Sequence, residues 1–111
     1  MTYSEIAAVA EETGLPYAYD HFAEGESPEP PFLVFILPRE TYFYADGRIY
    51  TRTTALYFEL YTDAKDPTVE AYVEAVLQSH GINYEKSETW IETEKLYEVI
   101  YEMEVPYGEQ D

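Results

Sequence analysis

Two histidines and a large set of carboxylates are the side chains of this sequence best suited to acid–base chemistry. Asp20-His21 has the composition of an oriented general base. Neighbours in an extended strand point to opposite faces, however, and no nucleophile accompanies the pair, so no catalytic group is expected there. His80 stands where a helix is expected to end, a place where the helix dipole favours a cation. Glu98, Glu102 and Glu104, or Glu70 and Glu74, have a spacing that could pair an acid with a base as in glycoside hydrolysis. With 23 Asp and Glu among 111 residues such pairs arise by chance, and a solvated face accounts for them. Asp63 to Thr68 begins like a calcium loop but lacks its sixth-position glycine. No phosphate-cradling glycine loop and no GxSxG nucleophile elbow occurs. The chain has no cysteine, which excludes thiolate metal sites, disulfides and a cysteine nucleophile together. The expectation is a protein that is not an enzyme and holds neither cofactor nor metal.

The composition narrows the partners. A net charge of −17 repels phosphate backbones and anionic lipid alike, so neither nucleic acid nor a membrane surface is an expected ligand. No apolar stretch reaches the roughly 18 residues that a spanning helix needs, and Met1 to Glu5 lacks the basic and apolar run of a signal peptide. The expected place is the cytoplasm. Hydrophobic residues make up 46% of the chain and aromatic residues 17%, enough to fill a core without disulfides.

The elements that would position these side chains can be read along the chain. Thr2 and Glu5 have capping-box spacing, Ile6, Val9 and Ala10 recur at helical intervals, and Gly14 is a stop signal, which predicts a first helix. Leu15 to Phe22 alternates as a strand with Tyr17 and Tyr19 on one side. Ala23 to Pro31 is an acidic loop carrying Glu24, Glu26 and Glu29, expected to be mobile in the free subunit and to face a partner or a channel. Phe32 to Leu37 is a continuous apolar run, the pattern of a central strand covered on both faces. Asp66-Pro67 opens a second helix with Val69, Tyr72, Val73, Val76 and Leu77 as its apolar stripe, ending at His80-Gly81. The residues from Ile82 to Val105 read as two antiparallel strands, with Glu98, Glu102 and Glu104 on the wet face. The fold class is α+β: a mixed, mainly antiparallel sheet of about five or six strands with two helices on one face, in the order α-β-β-β-β-α-β-β. One domain spans residues 1–105, and 106–111 form a short acidic tail.

Asp46-Gly47 between Thr41–Ala45 and Arg48–Thr62 is a type I′ hairpin signal, with Tyr44 opposite Ile49 and Phe43 opposite Tyr50. A straight Arg48–Thr62 strand would run about 50 Å, whereas a domain of this size has a radius of gyration of about 13 Å. The strand must bend or leave the body. The expected result is an arm whose tip carries Tyr42, Phe43, Tyr44, Ile49 and Tyr50, together with Arg39, Arg48 and Arg52, half of the six basic residues. These eight residues are the candidate subunit interface.

Taken together, EETGLPYAYDHF, the PEPPF loop, ADGRIY, FELYTDAKDPTVE and WIETEKLYEVIYEMEV resemble a family of small proteins from tailed phages and prophages of Gram-positive bacteria. The likeness runs along nearly the whole chain and is to tail terminator or tail-completion proteins of the head–tail neck. It implies an α+β subunit that closes into a ring, commonly sixfold, at the head-proximal end of the tail. It also implies contacts with tail-tube and head–tail connector proteins, first in the host cytoplasm and then in the virion. An acidic surface suits a conduit to which passing DNA must not stick. The competing expectation is an acidic DNA mimic that inhibits a nuclease or restriction system, to which the same charge is suited.

Overall fold

The computed structural model describes residues 1–108. It contains α1 (Tyr3–Glu12), β1 (Tyr17–Tyr19), β2 (Phe32–Ile36), β3 (Glu40–Ala45), β4 (Arg48–Thr62), α2 (Pro67–Ser79), β5 (Glu85–Ile91) and β6 (Leu96–Pro106). The fold class is the expected one. The sheet runs β1-β2-β4-β6-β5, with β3 also paired to β4; β1 and β2 are parallel and every other pair is antiparallel.

Local chemistry sets the element ends. Thr2 Oγ1 accepts from the Glu5 N–H at 3.1 Å and the Glu5 carboxylate accepts from the Thr2 N–H at 2.9 Å, a complete capping box. Asp66 Oδ1 accepts from the Val69 N–H, with Pro67 at the first helical position. Asp46 and Gly47 have φ of 52° and 74°, the left-handed pair that a type I′ turn requires.

Strand alternation sends Leu33 and Phe35 of β2, Leu56, Phe58 and Leu60 of β4, and Val99, Tyr101, Met103 and Val105 of β6 to one face. Ile6, Val9 and Ala10 of α1 and Val73 and Leu77 of α2 pack onto that same face. On the opposite face Phe32 stacks on Tyr61, with ring centroids 5.1 Å apart, and Phe22 meets Phe32 edge-on at 5.4 Å. Phe32 and Val34 are buried there without a helix over them.

Several expectations need correction. Phe32–Ile36 is buried on both faces, but the middle strand is β4, paired with β2 and β3 on one side and β6 on the other. Of the Leu15–Phe22 segment only Tyr17–Tyr19 pairs, because Asp20 turns into the left-handed region at φ 66°. Phe43 lies opposite Thr51, with a β-bulge inserting Tyr50, while Tyr44 does face Ile49. Tyr72 is not in the core but 60% exposed, and Glu70 takes a place on the buried stripe with Val73 and Leu77. Beyond Val105 the chain stays attached: Pro106 ends β6, the Tyr107 N–H donates to the Arg52 carbonyl, and the Gly108 N–H donates to the Met1 carbonyl. The rest of the expected tail, 109–111, lies outside the described residues.

Candidate assembly surface

β6 accompanies β4 only as far as Thr53, and β2 only from Tyr57 onward. Between Tyr42 and Arg52 the hairpin is therefore a two-stranded ribbon standing clear of the sheet, and the molecule measures 51 × 30 × 23 Å with a radius of gyration of 15.1 Å. The excess over the roughly 13 Å of a compact domain comes with this projection.

The ribbon brings together seven of the eight candidate interface residues. Tyr42, Phe43, Tyr44, Ile49 and Tyr50 are between 38 and 72% exposed, five of the nine exposed large hydrophobic residues among those described. On one side of the ribbon Phe43 and Tyr50 pack edge to face at 6.0 Å, beside the bulge. On the other side Tyr42 donates to Glu40 at 2.5 Å, and Arg52 lies 3.9 Å from the Glu40 carboxylate and over the Tyr42 ring. Arg52 thus stiffens the ribbon from within. Arg48 is exposed at the tip, beside the turn. Arg39 is separated from the tip: its carbonyl accepts from the Ala55 N–H and the Thr54 hydroxyl at the ribbon's root. Arg39 lines an open cleft of about 420 Å³ with Tyr57, Asn83, Glu85, Glu102 and Glu104. Glu24, Glu26 and Glu29 are exposed on their loop, which Phe22 anchors through Phe32.

The residues weighed for chemistry fall elsewhere. His21 Nδ1 lies 2.8 Å from Asp20 Oδ2, since neither residue is in a strand; both are exposed and far from enclosure. His80 Nε2 lies 2.6 Å from Glu12, tying the end of α2 to the end of α1. Among the described residues no group of three or more His, Asp or Glu is placed to hold a metal ion. No helix among them is long and apolar enough to cross a membrane.

Two charged groupings escaped the sequence reading. On the helix side Glu70, 2% exposed, accepts from Lys65 and Lys86, each at 2.8 Å. Lys65 also pairs with Glu88, Lys86 with Glu74 at 2.7 Å, and the Tyr101 hydroxyl donates to Glu74 at 2.8 Å. The available signal was spacing: Glu70, Val73 and Leu77 recur at three and four, the interval of a buried helical stripe. On the helix-free face the Tyr61 hydroxyl donates to Glu98 at 2.7 Å and reaches Glu59 at 3.4 Å.

Burial pushes the Glu59 carboxyl above its ordinary range, and the neighbouring Glu98 charge adds to this. A carboxylate whose folded pKa is raised opposes folding at neutral pH, and the penalty is relieved as pH falls through the folded pKa. Thermal stability is accordingly expected to hold or rise between pH 7 and about 5, and Glu59→Gln should flatten that part of the profile. Below about pH 4.5 the sign reverses, because Glu74 and Glu88 are held below the ordinary range. For Glu74 burial pushes upward, but the Lys86 and Tyr101 hydrogen bonds outweigh it; for Glu88 the hydrogen bond from Lys65 leads. A melting series across pH checks both limbs.

No family model and no curated protein matches this chain.

Proposed function

We propose that the protein is a structural subunit that self-assembles through its hairpin, as a ring at the head-proximal end of a phage tail. The observation that carries the assembly part is the ribbon at Tyr42–Arg52, which exposes five large apolar side chains on an isolated two-stranded element. Such a ribbon is marginal alone in water and presents the aromatic surface that protein interfaces use. The place in the virion rests on the resemblance to tail terminator and tail-completion proteins, with tail-tube and head–tail connector proteins as the neighbours. Electrostatics supports a contact between copies: Arg48 stands exposed at the tip of a chain whose net charge is −17.

Arg48→Glu tests this cleanly, because Arg48 is exposed at the tip whereas Arg52 is engaged with Glu40 and Tyr42. The variant should keep the parent's circular dichroism and melting temperature. Its self-association should weaken by about tenfold or more, the cost of setting a carboxylate against an acidic body. Association equal to the parent's would remove the hairpin from the interface. A nuclease-inhibition assay separates this reading from the DNA mimic, since a ring subunit has no effect in it.

A further inference from the structure

The hairpin's receptor can be sought at the other end of the molecule. β4 begins at the tip with Arg48 and ends at Thr62, and the loop that follows leads within a few residues to the start of α2 at Pro67. Fifteen strand residues cover about 50 Å, comparable with the 51 Å long axis. The tip and the N-terminal end of α2 are therefore too far apart to meet within one copy.

At that far end α1 and α2 leave a cleft of about 220 Å³ lined by Thr13, Leu15, Thr68, Val69 and Tyr72, with almost wholly apolar walls. It is smaller than the roughly 300–1,000 Å³ of small-molecule sites, so a single large side chain suits it better than a free ligand. Tyr72 stands at this cleft 60% exposed, on the helix face where a core residue was expected. Its ring leaves apolar area in water that a partner would cover. The segments entering the cleft are acidic: Glu11 and Glu12 immediately precede Thr13, and Asp63 and Asp66 precede Thr68. Of the basic side chains nearest in sequence, Lys65 is engaged by Glu70 and Glu88, and His80 by Glu12. Asp66, whose carboxylate accepts from the Val69 N–H, stands beside this apolar lining, and the two together complement an aromatic tip that carries Arg48.

We propose that the cleft between α1 and α2, at Leu15, Val69 and Tyr72, receives the hairpin tip of a second copy of this chain. One tip aromatic enters the cleft and Arg48 meets Asp66 at its edge. The inference rests on the reading of the hairpin as an assembly arm. Because tip and cleft are different surfaces at opposite ends, the contact is head-to-tail, the kind that closes into a ring when the rotation between copies permits.

Head-to-tail geometry gives a decisive mixing experiment. A tip variant, Arg48→Glu with Tyr50→Ser, keeps its cleft; a cleft variant, Tyr72→Glu, keeps its tip. Each alone should lose at least about tenfold in self-association by sedimentation velocity, an effect of about 1.4 kcal/mol. Mixed, they should form one-to-one dimers and nothing larger, since each pair retains one sound tip and one sound cleft. Failure of two individually inert variants to pair would overturn the receptor. If Tyr72→Glu assembles as the parent does while the tip variant does not, the receptor lies elsewhere and the arm stands. If both assemble as the parent does, the arm reading falls as well. Should Tyr72→Glu not fold, the absence of cysteine offers a second route. Copies carrying Tyr50→Cys, mixed with copies carrying Thr68→Cys, should form a disulfide between unlike subunits under mild oxidation. No such disulfide in an assembling mixture also overturns the proposal.

Discussion

Replacing both Lys65 and Lys86 by Met is expected to lower the stability of the folded chain by about 3–5 kcal/mol, the usual cost of leaving a buried charge without its partners. Glu70 is 2% exposed, and both lysines donate to the same oxygen, Oε1. Its other oxygen is buried without a hydrogen-bond partner, so the lysines are what compensate the carboxylate. The lysines themselves are 42% and 34% exposed and keep Glu88 and Glu74 as second partners. The effect is thus asymmetric. Losing the cations strands an anion inside the protein, whereas losing the anion leaves two cations that reach water. In a domain of this size each kcal/mol moves the melting temperature by about 4–8 °C, so the double variant should melt more than about 12 °C below the parent. Adding Glu70→Leu to it should recover most of the loss, because Leu continues the stripe of Val73 and Leu77. Chemical denaturation of the three proteins checks this, and a triple variant no more stable than the double would show that the network does not act through Glu70.

Phe43→Ser with Tyr50→Ser is expected to act on the opposite quantity, weakening self-association by at least about thirtyfold while the fold is unchanged. An interface aromatic that serves as an anchor is worth about 2 kcal/mol or more, and two rings in contact act as one such anchor, so their losses do not simply add. The rings lean on each other at 6.0 Å and are 61% and 72% exposed, so they add little to the domain beneath them. Their strands pair only with one another at this point, and the core around Phe35, Phe58 and Tyr101 is untouched. Concentration-dependent light scattering reads the association, and the melting temperature reads the fold. A large fall in melting temperature would mean that these rings support the domain and would count against an arm.

The sequence was most legible where one residue type has one physical use. The Thr2–Glu5 box, Asp66-Pro67 and Asp46-Gly47 each specify a backbone geometry, and each is found where expected. The β6 alternation from Tyr97 to Val105 was equally clear, since a strand wet on one side must alternate. Three features were hidden for a common reason, that they depend on what lies across space. The bulge at Tyr50 shifts a register that the turn alone leaves regular. Glu70 looked solvated because its lysines come from a preceding loop and from β5. Arg39, counted with the tip by sequence proximity, is at the root, where its carbonyl closes onto β4. Length alone required the 15-residue strand to bend or leave the body, and its projection depends on where β2 and β6 stop pairing with it.

Sedimentation equilibrium of the purified chain across ionic strength and pH tests the central claim most directly. Each subunit carries −17, and at 0.15 M salt the screening length is about 8 Å, which damps repulsion between whole bodies while leaving contacts between touching groups. The account predicts a monomer or small oligomer at low salt. A single closed species of fixed stoichiometry should grow in as salt rises, or as pH falls toward about 5 and carboxylates lose charge. Negative-stain images of that species should show rings. A strict monomer at every concentration, salt and pH, and also in the presence of tail-tube protein, would contradict it.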